Sequence, residues 1–219
     1  MCSIHHDKKA IFIHIPKNGG SYIAEILSKY YGFKNYYLQR PDHALFCKGI
    51  DKSVDKHENK IHGTLIYYKT SNYINKILNM NKDKWDSYFI FTFVRNPYSR
   101  IISGWKYCYG NTLSFEDFLK TKNINSYNYW HTFMTQTRHL INIDGKLNIH
   151  FIGHLENIEN DLKIILHRLG YSIIHKPFIK NKTIHDNYKS YYNKELIDIV
   201  NNNFKYDFDN FNYPTLFMI

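Results

Sequence analysis

Two apolar patterns stand near the start of the chain, a short continuous run and a set of residues at helical spacing, and they indicate a strand and a helix. Ala10–Ile15, "AIFIHI", is a short apolar run typical of a buried strand, and the polar turn "PKNGGS" follows it. Beyond the turn, apolar residues recur at helical spacing, which predicts a helix over Ser21–Tyr31 that stops at Gly32. The pattern therefore predicts a strand, a tight turn and a helix.

The most apolar stretch of the chain lies near its middle. Tyr88–Val94, "YFIFTFV", has no polar face, as expected of a parallel strand covered on both sides. "RNPYSR" comes next, and Pro97 suits the first turn of a helix that runs to Gly110. Leu147–His154, "LNIHFIGH", predicts a third strand.

The remaining pattern is mostly helical. One helix is predicted to begin after Ser114, which caps it. Other helices are predicted at Asn72–Met80, Tyr129–Ile141, Glu156–Leu169 and Lys194–Asn203, and the aromatic tail "YDFDNFNY" follows the last of them. Arg40–Lys60 is polar and aperiodic and is interpreted as a long surface segment. Because strands alternate with helices, the fold class is α/β, with a central, mainly parallel sheet flanked by helices. Residues 1–8 are expected to form a flexible tail, and residues 9–219 the folded domain.

Charge adds one expectation to this picture. Lys and Arg total 29 against 19 Asp and Glu, a net charge of +10, which favours an anionic partner such as a nucleotide, an acidic glycan, nucleic acid or a membrane surface. Single lysines scattered among polar residues are equally compatible with a basic, soluble surface. The three cysteines have no ligand spacing, so no metal site is expected.

The hydropathy pattern also bears on location. Neither a membrane span nor a signal-peptide core is present in the sequence. A complete chain would be expected to be soluble and cytoplasmic, and a chain that had lost an N-terminal anchor would be expected in the Golgi lumen. The oligomeric state is left open.

Residue types that bind phosphate occupy the first turn. A helix N-terminus presents backbone N–H groups and partial positive charge; Gly19 and Gly20 permit close approach of an anion, Ser21 adds a hydroxyl and Lys17 a cation. The lysine stands before the glycines, the reverse of the GxxxxGK[ST] nucleotide loop. An ordinary turn with Ser21 as the helix cap is the alternative.

The second strand ends in a similar way. Arg95 follows the strand at once and can grip a phosphate with two hydrogen bonds, and Ser103 lies about two turns into the next helix. The alternative is an Arg95 paired with a carboxylate. Loops at the carboxyl ends of two parallel strands predict a ligand-binding crevice.

Both loops resemble motifs of one enzyme family. "HIPKNGGS" resembles the 5′-phosphosulfate loop of the sulfotransferases that use 3′-phosphoadenosine 5′-phosphosulfate (PAPS), and "FTFVRNPYSRIISGW" resembles their 3′-phosphate motif, RNPxxRxxSxY. The likeness extends from Ile11 to Tyr213 and is greatest to the Golgi-type carbohydrate branch. It implies a single P-loop-like domain, PAPS as donor without a metal, and a hydroxyl acceptor, with a glycan preferred.

The resemblance also implies roles for individual residues. The Lys17 side chain would contact the bridging and sulfonate oxygens. The residues that would hold the 5′-phosphate are Asn18, Gly19, Gly20, Ser21 and Tyr22, and those that would hold the 3′-phosphate are Arg95 and Ser103. Tyr22 departs from the family pattern, which commonly has a small hydroxyl residue there. Gln136–Leu140 resembles a segment near donor or acceptor.

A histidine is the expected general base. His62, in "KIHGTL", lies in the region that resembles the family's catalytic histidine segment, and His43 is the second candidate. For each, a plain surface histidine is the alternative. Two competing functions remain, an ATP-dependent P-loop phosphotransferase and a non-catalytic binder of polyanions. The first is disfavoured because the lysine precedes the glycines, and the second because no nucleic-acid motif is present.

Overall fold

The computed structural model describes residues 2–36, 75, 78–110, 112–121, 133–141, 146–172 and 188–217. Its strands are β1 (Cys2–His5), β2 (Ala10–Ile13), β3 (Lys34–Tyr36), β4 (Phe89–Val94) and β5 (Phe151–His154). Its α-helices are α1 (Gly20–Tyr31), α2 (Lys82–Ser87), α3 (Pro97–Tyr109), α4 (Phe115–Thr121), α5 (Gln136–Leu140), α6 (Ile158–Arg168), α7 (Lys194–Asn203) and α8 (Lys205–Phe211). Short 3₁₀ helices span Leu155–Asn157 and Tyr188–Tyr191.

The chain divides into two compact units. The first, here the sheet unit, consists of residues 1–39, 53–94 and 138–178, and the second, the helical unit, of residues 40–52, 95–137 and 179–219. All five strands belong to the sheet unit. Helices α3, α4, α7 and α8 belong to the helical unit.

The five strands lie in the order β3-β1-β2-β4-β5. Strands β2, β4 and β5 pair in parallel, with Ile13 opposite Thr92 and Val94 opposite His154. Only β1 runs against its neighbours, so four of the five strands share one direction. The predicted α/β class with a mainly parallel sheet is confirmed, and the carboxyl ends of β2, β4 and β5 meet at one edge.

The prediction of a flexible tail over residues 1–8 is wrong for residues 2–5. Those residues form β1 between β2 and β3, with Cys2 and Ile4 almost fully buried. The Ser3 hydroxyl donates to Asn35 Oδ1 at 2.7 Å. Four residues are too few to show a hydrophobic pattern in the sequence. In the folded protein they form a strand because their backbone pairs with β2 on one side and with β3 on the other.

One face of the sheet is buried under α1 and α6. Phe12, Phe91 and Phe93 pack there against apolar residues of both helices, among them Ile23 and Leu162. Helix α1 ends at Gly32, whose φ of 71° is left-handed, and the next N–H bonds back to Leu27 O. The predicted helix stop is confirmed.

The helical unit has an aromatic core around Tyr98. Its ring lies 5.1 Å from those of Tyr192 and Phe208, and its hydroxyl bonds the Asn201 side chain and accepts the Leu216 N–H at 2.8 Å. The predicted cap of α4 is confirmed, because the Ser114 hydroxyl accepts the Asp117 N–H at 3.0 Å.

Several predicted boundaries differ from the structure. The third strand begins at Phe151, since Leu147 makes only an isolated bridge. The helix predicted from Glu156 starts as the 3₁₀ turn before α6. Of the helix predicted over Tyr129–Ile141, Met134 and Thr135 are not helical, and α5 begins at Gln136. The aromatic tail is helical and forms α8, because Asp207, Phe208 and Phe211 are buried along one side of it.

Candidate functional site

The loop after β2 has an uncommon backbone at its lysine. Lys17 and Gly19 both have a φ of 70°, in the left-handed region that side chains rarely adopt. Glycine bears this conformation without penalty, whereas a lysine there stores strain of the kind found at functional sites. The half-buried Lys17 therefore has a left-handed backbone conformation that the residue type does not favour.

The loop delivers free backbone donors at the start of α1. Gly19 is the N-cap, and the first intrahelical bond runs from the Ile23 N–H to Gly19 O at 3.1 Å. The N–H groups of Gly20, Ser21 and Tyr22 precede that bond and have no acceptor within the helix. Three N–H groups at the positive end of a helix form an arrangement that binds an anion.

Two contacts fix the loop to the sheet. The buried Asn18 donates from Nδ2 to Phe93 O at 2.9 Å, which ties the loop to β4. A Cβ on Gly19 would lie 2.7 Å from Leu155 Cδ1, just after β5, so any other residue there would have to displace the tip of the Leu155 side chain. The loop is thus held across the carboxyl ends of the parallel strands.

The structure separates the side chains of Ser21 and Tyr22. Ser21 is exposed at the start of α1. Tyr22 packs against the core beneath α1 and α6, and among the described residues its buried hydroxyl has no hydrogen-bond partner. Burial, with the charges of Glu159 and Glu25, raises the pKa of Tyr22. At the N-terminus of α1, Tyr22 therefore presents its backbone N–H, while its side chain packs into the core.

In the helical unit, Arg95 lies between the end of β4 and the cap of α3. Asn96 is that cap, and its Oδ1 accepts the N–H of Tyr98 at 3.0 Å. Arg95 Nε donates to the Ser99 hydroxyl at 3.0 Å. Ser103 is one helical turn beyond Ser99 on the same side of α3, and it is half-buried. The second loop therefore pairs a guanidinium with the Ser99 hydroxyl, and Ser103 follows on the same side of the helix.

A buried glutamine holds the backbone of Arg95. Gln136 Oε1 accepts the Arg95 N–H, and Gln136 Nε2 donates to the Arg95 carbonyl, both at 2.8 Å. Gln136 is anchored in turn by Asp207, which accepts its backbone N–H at 2.8 Å. Both polar groups of the Arg95 backbone are thereby satisfied by one side chain.

Asp207 is a buried carboxylate with several partners. Besides the Gln136 N–H it accepts the backbone N–H of Thr137 at 2.8 Å and the hydroxyl of Thr137 at 2.9 Å. Burial raises its pKa, and the charge of Arg100 and these hydrogen bonds oppose the rise. Arg100 is fully buried, donates to Met134 O at 3.0 Å and braces its helix.

Comparison with known proteins identifies the family. The sulfotransferase family matches residues 2–214. The chain is a member of the sulfotransferase family. This sulfotransferase is also similar to an uncharacterized protein of Archaeoglobus fulgidus, with 28% identity over 97 residues, which cover 42% of this chain and 75% of the relative. No solved structure matches the chain significantly.

Family membership confirms the resemblance on which the predicted loops depend. Members of the family are enzymes that transfer a sulfo group, and the α/β fold agrees with this one. Within the described ranges, the structure places Lys17 ahead of the N–H groups at the start of α1, and it pairs Arg95 with Ser99 near the start of α3. Each loop of this sulfotransferase has the residue types that its predicted anion requires.

Some of the predicted residues cannot be placed. His62, His43 and Cys47 lie outside the described residues. In the part of the chain that the structure describes, no group of three or more His, Cys, Asp or Glu side chains is arranged to hold a metal ion. Among the helices within those same ranges, none is both long and apolar enough to cross a bilayer.

The sequence did not identify Ser99 or Asp207, and it placed Gln136 in a segment near donor or acceptor without giving it a contact to Arg95. Ser99 is four residues beyond Arg95, a local spacing that could have indicated the contact. Gln136 and Asp207 are separated from their partners by 41 and 71 residues, and no local signal predicts those hydrogen bonds.

Proposed function

We propose that this sulfotransferase moves the sulfonate group of PAPS to a hydroxyl acceptor, with a glycan as the preferred class. The observation that carries the proposal is the left-handed Lys17 shortly ahead of the three N–H groups of α1 that have no acceptor within the helix. This order suits a phosphosulfate, because the N–H groups hold the phosphate while the lysine reaches the bond that breaks.

The first loop takes the 5′ end of the donor. The N–H groups of Gly20, Ser21 and Tyr22 and the exposed Ser21 hydroxyl bind the 5′-phosphate. Lys17 offsets the charge that grows on this phosphate as the sulfur–oxygen bond breaks. Asn18 contributes indirectly, since its side chain fixes the loop to Phe93.

The second loop takes the 3′-phosphate, the group that distinguishes PAPS from ATP. Arg95 binds it through its guanidinium, and Ser103 donates a hydroxyl hydrogen bond. The grouping of Arg95 with the serine side of α3 supports this assignment.

Transfer requires that the acceptor lose its proton. In the proposed reaction the acceptor oxygen bonds to sulfur, the bond from sulfur to the 5′-phosphate oxygen breaks, and His62 takes the acceptor proton. The products are the sulfated acceptor and adenosine 3′,5′-bisphosphate. His43 is the alternative base. The net charge of +10 favours an acidic glycan as acceptor.

Two measurements test the proposal. Transfer of labelled sulfonate from PAPS is assayed over a panel of glycans and small hydroxyl compounds, and calorimetry compares adenosine 3′,5′-bisphosphate with ATP, with and without Mg²⁺. We expect transfer to at least one hydroxyl compound and metal-independent preference for the bisphosphate. Preference for ATP with Mg²⁺ would identify a phosphotransferase instead. Salt-sensitive binding of polyanions without bisphosphate competition would identify a non-catalytic binder.

Variants of the two loops locate the donor site. Lys17→Ala and Arg95→Ala should each nearly abolish binding of the donor. Lys84→Ala serves as the control, since this exposed lysine of α2 is outside both loops. Normal donor affinity in both loop variants would refute the site while leaving the family assignment intact.

A further inference from the structure

The backbone of Arg95 is in a position where hydrogen-bond partners are scarce. It follows the last residue of β4 and precedes the Asn96 cap of α3, so it lies outside both elements. Part-buried backbone groups outside a strand or helix need another partner, such as a side chain or an ordered water. Here the partner is Gln136, which pairs with both the N–H and the carbonyl of Arg95.

The same glutamine is itself immobilised. Its side chain is fully buried, and its backbone N–H is accepted by Asp207 from α8. Asp207 also caps α5 through the Thr137 N–H. A chain of hydrogen bonds therefore runs from α8 through Gln136 to the backbone of Arg95.

The Arg95 side chain has a second anchor. Ser99 accepts from Nε, and the Ser99 hydroxyl donates to Asn96 O at 3.2 Å. With the backbone set by Gln136 and Nε set by Ser99, the direction of the guanidinium is fixed at both ends. A charged group held this way loses less conformational freedom when it binds an anion.

We infer that Gln136, anchored by Asp207, is a positioning residue that determines selectivity for the 3′-phosphate of the donor. It acts through the backbone of Arg95 and does not itself contact the donor. This inference rests on the proposed function, since it assumes that Arg95 binds the 3′-phosphate. Discrimination for the 3′-phosphate then depends on a residue that lies 41 positions from Arg95 along the chain.

Calorimetry with two nucleotides tests the inference. Adenosine 3′,5′-bisphosphate and adenosine 5′-monophosphate differ only in the 3′-phosphate, so the ratio of their dissociation constants measures the discrimination. Gln136→Met keeps the size of the side chain and removes both hydrogen bonds to Arg95. We expect it to lower the ratio about tenfold, because a guanidinium that is no longer held in place must be ordered when the 3′-phosphate binds, and we expect the affinity for the monophosphate to be unchanged.

A double variant separates positioning from general stability. Once Arg95→Ala has removed the guanidinium, adding Gln136→Met should leave the ratio unchanged, because the residue acts only through Arg95. Asn201→Leu is the matched control. It removes a side-chain amide of the same unit that bonds Tyr98 and Leu216 O, and it should lower Tm without altering the ratio. If Gln136→Met does not fold, Gln136→Glu replaces it, since it keeps the acceptor and loses the donor.

The possible outcomes are distinguishable. If the unmodified protein does not prefer the bisphosphate, the proposed function falls and the inference with it. If Arg95→Ala removes the preference and Gln136→Met retains it, the inference alone is refuted. An equal loss of affinity for both nucleotides in Gln136→Met would show a structural role and would also refute it. Retained preference in Arg95→Ala would remove the premise while leaving PAPS as the donor.

Discussion

The imidazole of His14 lies directly against the backbone of Gly20. A Cβ on Gly20 would be 1.6 Å from His14 Cδ2 and 2.4 Å from Nε2, distances that no pair of atoms tolerates without a bond. The half-buried His14 ring thus packs directly beside Gly20, the first residue of α1. The φ of Gly20 is not left-handed, so the backbone conformation does not require glycine there. The reason for glycine is the close approach of the His14 ring, which leaves no room for a Cβ.

Substitution of Gly20 tests this contact. We expect Gly20→Ala to lower the free energy of unfolding by about 2 kcal/mol or more, because His14 must be displaced. The double variant His14→Ala/Gly20→Ala should recover most of that loss. Urea unfolding measures both. Ser21→Ala, at the neighbouring exposed position, should stay within about 0.5 kcal/mol of the unmodified protein. A Gly20→Ala protein of unchanged stability would contradict the packing.

Lys17 should show a conflict between stability and activity. Glycine adopts a φ of 70° freely, so Lys17→Gly should raise the free energy of unfolding by about 1 kcal/mol while removing sulfonate transfer. Lys9 offers a matched control, because it too is left-handed, at φ 48°, and lies at the opposite end of β2 from the loop. Lys9→Gly should gain stability and keep its activity. A loss of stability in Lys17→Gly would show that its side chain stabilises the fold.

The general base is tested by kinetics. We expect His62→Ala to lower kcat by about 10²–10⁴-fold and to leave the affinity for adenosine 3′,5′-bisphosphate unchanged, since the base acts on the acceptor. His43→Ala is measured in parallel under the same conditions. Full activity in His62→Ala together with inactivity in His43→Ala would transfer the role to His43.

Alkaline pH should weaken the fold through Cys2. Burial raises the pKa of its thiol from 9.0 to about 12. Above pH 9 the thiol ionises in the unfolded chain but not in the folded one, so stability is lost as pH rises from about 9 to 12. One such group lowers the free energy of unfolding by about 1.4 kcal/mol per pH unit.

Urea unfolding at several pH values measures this slope. The comparison with Cys2→Ala isolates the thiol, because other groups titrate equally in both proteins. The difference in slope should disappear below pH 8. Equal slopes above pH 9 would contradict the burial of the thiol. The partly exposed Cys108 should react with iodoacetamide in the native protein, whereas Cys2 should not.

The sequence predicted those features that depend on neighbours along the chain. The run of apolar residues in β4, the glycine that ends α1 and the Ser114 cap are local, and each appears where the pattern predicted it. The order of lysine, glycines and serine is equally local, and it predicted an anion loop at the start of α1. Family membership supports sulfo transfer as the activity.

Tertiary structure decided what distant segments do to one another. β1 was predicted as a tail because four residues carry no period, yet pairing with two strands buries it. The side chain of Tyr22 packs against the core beneath α1 and α6, which no local pattern predicted.

The second loop shows the same division. Arg95 and Ser103 were predicted at the 3′-phosphate from the resemblance of "RNPYSRIIS" to a family motif. The contact of Gln136 with Arg95 and that of Asp207 with Gln136 were not predicted, because these hydrogen bonds cross 41 and 71 residues of sequence. The sequence by itself determined which residues carry charge and hydrogen-bond donors. Only folding determined which of them are held rigidly, since rigidity comes from contacts between segments that no local pattern records.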